Sequence, residues 1–403
     1  MRRRDFMTLL GAAALPMSAQ AKPANLIDQR LRQAVADKMV AGVVAIALDR
    51  KRVFYRGAFG VADTDSGRPL NIHALFRIAS MTKPVTSVAT MQLIEAGKLG
   101  LDDPVANHLP GFAELSVFEA FDAETGDYRL RPARLPVTVR HLMTHTSGFG
   151  YPFTSAILRD YRPRAGDAPE PLLFDPGARW HYGTSTDWLG RLVENVSGEP
   201  LEQYFHRHIF ARLHMTDTFY DVPEDKQARL VAVHRRSADG AIVKEADQPA
   251  SKIAKPIGGG GLSSTADDYA RFLRMLLNGG TLEGARILSA KSVALMGQNQ
   301  IGALTVPALK SAMPERSNDF IFVADGRDKW GLGFLITADQ VPGKRSAGSL
   351  SWGGIYNTYF WLDPARGLAG VILMQFLPFA DHKALALYDT FERGVYQLAD
   401  ATR

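Results

Sequence analysis

Cysteine is absent from this 403-residue chain, which excludes disulfides, thiolate catalysis, cysteine metal sites and a lipidated N-terminal cysteine. Beyond the N-terminal segment no apolar run reaches membrane-spanning length, and there is no internal repeat or low-complexity tract. Gly-x-Ser-x-Gly occurs nowhere, which counts against an α/β-hydrolase triad. Charge of one sign is not concentrated either: 47 Lys and Arg are scattered among 42 Asp and Glu for a formal net charge of +5, leaving no footprint for nucleic acid. What is present is ordinary globular material, 46% hydrophobic and 22% charged, enough for a large core in two lobes or in one domain with an insertion.

The chain begins with Arg2 to Arg4, an apolar run from Phe6 to Met17 and the small-residue site Ala19-Gln20-Ala21. Residues 1–21 therefore read as a signal peptide, and Arg3-Arg4-Asp5-Phe6-Met7 fits the twin-arginine form. The run is too short to span a bilayer, so the expectation is a protein exported to the periplasm or beyond, without a stable membrane anchor. Its mature chain starts at Lys22, and losing Arg2, Arg3, Arg4 and Asp5 removes two net positive charges.

Leu31 to Met39 has helical character, and Val43–Leu48 with Val53–Phe59 reads as a hairpin turning at Asp49-Arg50-Lys51. Near the other end Trp330–Ile336, Tyr356–Leu362 and Leu368–Met374 carry strand composition. Between these, Leu189, Leu192, Val193 and Val196, then Leu201, Tyr204, Phe205 and Ile209, follow a helical period. Ser264 to Asp267 matches a capping box opening a helix with Tyr269, Phe272, Leu273, Leu276 and Leu277 on one face. The predicted fold is α+β: both termini share one antiparallel sheet flanked by helices, with a mainly helical insertion. On this division an α/β lobe covers about 22–79 and 255–403, and a helical lobe about 80–254. Ala113–Pro136 and Tyr151–Pro171 show little period and are expected to be long surface excursions bordering a site.

The chemistry concentrates at Ser80-Met81-Thr82-Lys83. A serine and a lysine three apart on the first helical turn share a face, within proton-transfer reach. Pro84 is tolerated at an early helical position, and Val85, Val88, Ala89, Met91, Leu93 and Ile94 are apolar on nearly every side, so this helix should be buried with its N-terminus open to substrate. A buried amine titrates lower, which suits Lys83 to the role of base. Taken alone, the same four residues would also suit a helix cap with a lysine nearby.

The surrounding run Leu75-Phe76-Arg77-Ile78-Ala79-Ser80-Met81-Thr82-Lys83 resembles the nucleophile segment of the serine β-lactamase and penicillin-binding protein superfamily. The resemblance continues through His141–Gly148, Trp180-His181-Tyr182-Gly183-Thr184, Gly259–Ser264 and Trp330–Gly333, and is closest to family VIII carboxylesterases, which are similar to class C β-lactamases. It implies that Tyr182 is a proton relay and that Ser351-Trp352-Gly353-Gly354-Ile355 is the site-lining strand, with an oxyanion hole from the backbone N–H groups of Ser80 and Ile355. Gly353 and Gly354 would let substrate approach that strand. No cofactor is implied.

Two departures from the β-lactamase pattern shape the expected specificity. Trp352 stands where a lysine could hold a substrate carboxylate, and Thr184 where an asparagine would meet an amide. Losing both predicts an apolar pocket for small, uncharged, short-chain esters, cleaved through an acyl-enzyme on Ser80. The same Ser-Lys-Tyr site also suits a β-lactamase, a D-amino-acid peptidase or an acyltransferase. A rival of another class is a non-catalytic cell-wall-binding protein that keeps the fold. His141 and His145 stand four apart like helix-borne zinc ligands, but Leu142 occupies the Glu position of that motif. Gly258 to Gly261 read as a tight turn rather than a phosphate loop, since no Gly-Lys-Ser/Thr follows.

Overall fold

The computed structural model describes residues 23–164, 170–246, 255–321 and 326–401. The leader expected over residues 1–21 lies outside them. Among the described residues no helix is long and apolar enough to cross a membrane.

An eight-stranded sheet organises the chain. In spatial order its strands are Lys329–Trp330, Leu335–Ile336, Leu350–Gly354, Thr358–Asp363, Leu368–Leu373, Gly42–Asp49, Val53–Asp63 and Arg68–Pro69, each antiparallel to its neighbours. The N- and C-terminal strands thus meet at the centre, where Val44 pairs with Leu373 and Asp49 with Leu368. Short turns force the antiparallel order only within the hairpins they close, Gly42–Asp49 with Val53–Asp63 and Thr358–Asp363 with Leu368–Leu373.

Both faces of the sheet are covered, which is why Gly42–Asp49 and Leu368–Leu373 read as continuous apolar runs rather than alternating ones. Phe360 packs on Tyr269 of the helix Ala266–Leu277, while its neighbour Trp361 packs on Phe391 of the helix His382–Ala401. Successive strand residues point to opposite faces, so these two helices lie on opposite sides. The helix Pro23–Ala36 packs beside His382–Ala401.

The intervening region carries the helices Thr82–Glu95, Ser185–Ser197 and Leu201–Phe205, but it is less purely helical than its period suggests. Ser116–Phe121 and Tyr128–Pro132 form a hairpin inside the segment expected to be an irregular excursion. His234–Arg236 pairs in parallel with Phe376–Leu377. The capping box also moves by one residue. Thr265, not Ser264, accepts the Asp268 N–H at 3.2 Å and starts the helix Ala266–Leu277, because Ser264 is engaged in pairing with Phe76.

Candidate active site

Ser80 sits where a short strand turns into a buried helix. Phe76–Arg77 pairs with Ser263–Ser264, a 3₁₀ turn follows over Ala79–Met81, and the α-helix Thr82–Glu95 begins directly after it. Ala79 takes φ +45°, a left-handed conformation costly for a residue with a Cβ, which tips Ser80 out at the bend. Ser80 therefore lies in a single 3₁₀ turn before the helix, not in its first α turn. Tyr269 anchors the bend by donating its O–H to the Met81 carbonyl at 3.0 Å.

Three side chains meet at the hydroxyl. Tyr182 Oη donates to Ser80 Oγ at 2.7 Å, and Lys83 Nζ donates to the same atom at 3.2 Å. Lys83 is 1% exposed, and its amine also donates to the Gly259 carbonyl at 2.7 Å and to Tyr151 Oη at 3.2 Å. Its Nζ lies 4.8 Å from the Tyr182 ring centre. The spacing of Ser80 and Lys83 was legible from sequence; Tyr182 arrives from the loop preceding the helix Ser185–Ser197.

The strand Leu350–Gly354 runs against the bend, but its residues act differently from the expectation. Trp352 is 2% exposed and does not wall the cavity before Ser80; its indole N–H donates to Tyr182 Oη at 3.3 Å. Gly353 and Gly354 both pack closely on protein atoms. A Cβ on Gly354 would stand 2.3 Å from the Ile78 carbonyl oxygen, and one on Gly353 would stand 2.7 Å from the Tyr359 ring. Their absence of side chains lets the strand close on the chain that carries Ser80. Ile355, just past the strand, does line the cavity with Ser80. Thr184 turns away from it, donating to Glu170 Oε1 at 2.9 Å.

The cavity, about 250 Å³, is walled by Arg77, Tyr220, Leu230, Leu262, Ser263 and Ile355 among others, with Tyr356 beside them. It is not apolar. Arg77 and Ser263 are register partners on adjacent strands, so a guanidinium-bearing side chain and a hydroxyl-bearing one stand side by side. A cation thus stands at the cavity wall on a different strand from position 352, with Arg77 Nη1 donating to the Val231 carbonyl at 3.4 Å. Burial pulls the Arg77 guanidinium below its ordinary value, opposed by Tyr356.

Sequence reading missed the groups behind Lys83. Tyr151 lies in a segment expected to be a surface excursion, yet its hydroxyl is held between Lys83 and Asp187. Asp187 accepts the Gly259 N–H at 2.7 Å, and a Cβ on Gly259 would stand 2.3 Å from that carboxylate oxygen. An acid in the first turn of a helix reads as a dipole partner, so no signal marked Asp187. The His141–His145 pair makes no ligand set: the helix Val139–Met143 ends between them, His141 exchanges cap hydrogen bonds with Thr138, and His145 packs on Tyr182 and Trp330. Among the described residues there is no cluster of three or more His, Asp or Glu that could hold a metal ion.

Known proteins resemble this chain over most of its length. The family model described as Beta-lactamase matches residues 27–392. Monacolin J acid methylbutanoyltransferase of Aspergillus terreus is 31% identical, the match covering 94% of this chain and 97% of that protein. A solved mutant of simvastatin synthase from the same organism superposes with a TM-score of 0.81 at 30% identity, covering 94% of this chain and 100% of that one. EstCE1, titled a hydrolase with promiscuous acyltransferase activity, superposes with a TM-score of 0.74 at 25% identity over 93% and 98% of the two chains.

Proposed function

This chain belongs to the Beta-lactamase family, and from that premise we propose that it transfers an acyl group, through an ester on Ser80, to a hydroxyl of a carboxylate-bearing acceptor, with water as the competing acceptor. That it is a serine acyl-transferring enzyme follows from family, fold and relatives together. The observation that carries the reading is Ser80 Oγ held by Tyr182 and Lys83 at the mouth of the cavity. Arg77 supports the choice of acceptor, since a half-buried guanidinium favours a carboxylate through charge-assisted hydrogen bonds. A relative whose name specifies an acid as the molecule acylated points the same way. Cleavage of small uncharged esters, expected from sequence, is then the reaction seen when water replaces the acceptor.

In this mechanism Lys83 and Tyr182 take the Ser80 proton as Oγ attacks the donor carbonyl. The Ser80 and Ile355 backbone N–H groups face the developing oxyanion. Collapse expels the donor's leaving group, which receives the proton, and leaves the acyl-enzyme. An acceptor hydroxyl then gives its proton to the same pair and attacks the acyl carbonyl, releasing the new ester and restoring Ser80. Export to the periplasm or beyond, read from residues 1–21, belongs to the same proposal.

Intact-protein mass spectrometry after reaction with an aryl butyrate tests it, followed by a chase with a hydroxy acid or with buffer alone. The expected result is one butyryl group on Ser80, absent from Ser80→Ala, that leaves faster with the hydroxy acid and appears in it as an ester. Loss at one rate in both chases would leave a simple esterase. Faster turnover of nitrocefin than of the ester would favour a β-lactamase.

A further inference from the structure

Behind Lys83 the contacts close into a ring. Lys83 Nζ donates to the Gly259 carbonyl at 2.7 Å and to Tyr151 Oη at 3.2 Å; Asp187 accepts the Gly259 N–H at 2.7 Å and the Tyr151 O–H at 3.5 Å. One carboxylate therefore holds the far side of both groups that hold the amine. The members come from three separate places in the chain: Tyr151 precedes a 3₁₀ turn, Asp187 is in the first turn of the helix Ser185–Ser197, and Gly259 lies in the glycine-rich loop. A Cβ at 259 would stand 2.3 Å from the Asp187 carboxylate oxygen and 3.0 Å from Tyr151 Oη, so a side chain there would push these groups from their places.

Resting on the reading of Ser80 and Lys83 just given, we propose that Asp187 is a positioning residue: it fixes the Lys83 amine against Ser80 through Gly259 and Tyr151. With Ser80 included, Lys83 Nζ lies within hydrogen-bond distance of three oxygen atoms, which hold the amine in place. The enclosed site strengthens the attraction between amine and carboxylate relative to water.

The groups facing Asp187 all bear on its charge. Burial pushes its carboxyl up, while Lys83, the Gly259 N–H, the Tyr151 O–H and Arg191 on its own helix hold it down. Glu170 and Tyr220 also lie within its field. Tyr151 is pushed well above its ordinary value by burial and by Asp187, so it remains a neutral hydroxyl able to accept from Lys83 and donate to Asp187.

The test measures the rate and the KM of the acylation burst of an aryl butyrate in wild type and in Asp187→Asn, which keeps the shape and the acceptor for Gly259 but loses the charge. The expected outcome is an acylation rate lower by roughly ten-fold or more with KM little changed. Tyr151→Phe, which keeps the carboxylate but breaks one link, should slow acylation less, again at little changed KM, and it stands in if Asp187→Asn does not fold. An unchanged acylation rate, or a loss confined to KM, in a folded variant whose wild type acylates Ser80 would overturn the role of Asp187 alone. No adduct on wild-type Ser80 would overturn the reading of the site, and this inference with it.

Discussion

The Trp352 indole N–H donates to the Tyr182 hydroxyl at 3.3 Å, and the two rings lie 4.9 Å apart. Trp352 thus fixes the phenol that touches Ser80, as part of a cluster in which Trp330 meets it edge-on at 4.7 Å and His145 packs on Tyr182 at 5.0 Å. Trp352→Phe keeps most of the packing and removes the donor. Its expected effect is a fall in kcat of about five-fold, the scale of one neutral hydrogen bond of about 1 kcal/mol, with KM nearly unchanged. A raised KM at constant kcat would show that Trp352 contacts substrate after all.

Arg77 is expected to decide the acceptor. Arg77→Met should lower kcat/KM for transfer to a hydroxy acid by roughly ten- to a hundred-fold, matching about 1.5–3 kcal/mol for a charge-assisted hydrogen bond. Transfer to the corresponding hydroxy amide should change little. Parallel assays of the two acceptors give the comparison, and equal losses on both would make Arg77 a structural residue only.

Gly354→Ala places a methyl 2.3 Å from the Ile78 carbonyl and 2.4 Å from Thr358 Oγ1. Backbone atoms on one side cannot rotate away, so the strand must shift from the Ser80 bend at a cost of about 1–3 kcal/mol. Thermal unfolding should show the lower midpoint, and butyryl labelling of Ser80 should slow. An unaffected labelling rate would mean that the strand does not set the nucleophile's position.

Stability should depend on two imidazoles, His145 buried and His181 half-buried. Burial holds His181 down at about 4, against an ordinary 6.5, and burial with the nearby Lys83 charge holds His145 well below its usual range. In this window the unfolded chain binds protons that the folded chain refuses, so their contribution is complete above pH 6.5 and is lost as pH falls toward 4. Asp268 and Asp328, raised by burial to about 6 from 3.8, act with the opposite sign, since their folded forms take up protons first. The variant comparison isolates the imidazole: in His181→Gln the unfolding midpoint should drop less than in wild type between pH 6.5 and pH 4. Parallel curves would mean that His181 titrates alike in both states.

Local signals carried much of the architecture. The hairpin at Val43–Phe59 and the turn at Asp363–Gly367 needed only alternation, β-branched residues and turn chemistry, and both lie in the sheet where expected. Ser80 and Lys83 were legible because their contact spans a single turn of chain. The hairpin Ser116–Phe121 with Tyr128–Pro132 was not: its arms mix charged and apolar residues, and Phe118 and Tyr128 form a small separate apolar cluster with Leu173 and Phe174 from far along the chain.

By itself the sequence determined the α+β class and singled out Ser80, Lys83 and, through motif order, Tyr182, side chains that the structure brings into contact, because each rests on neighbours in the chain or on a recognisable run. Only the tertiary structure decided what surrounds them. It buried Trp352 against Tyr182, turned Thr184 toward Glu170, brought Arg77 into the cavity and placed Tyr151, Asp187 and Gly259 behind Lys83. The physical reason is separation: Asp187 stands 72 residues from Gly259, and Lys83 is 176 from it. Contacts at such range depend on how whole helices and strands pack, and no local pattern of residue types encodes them.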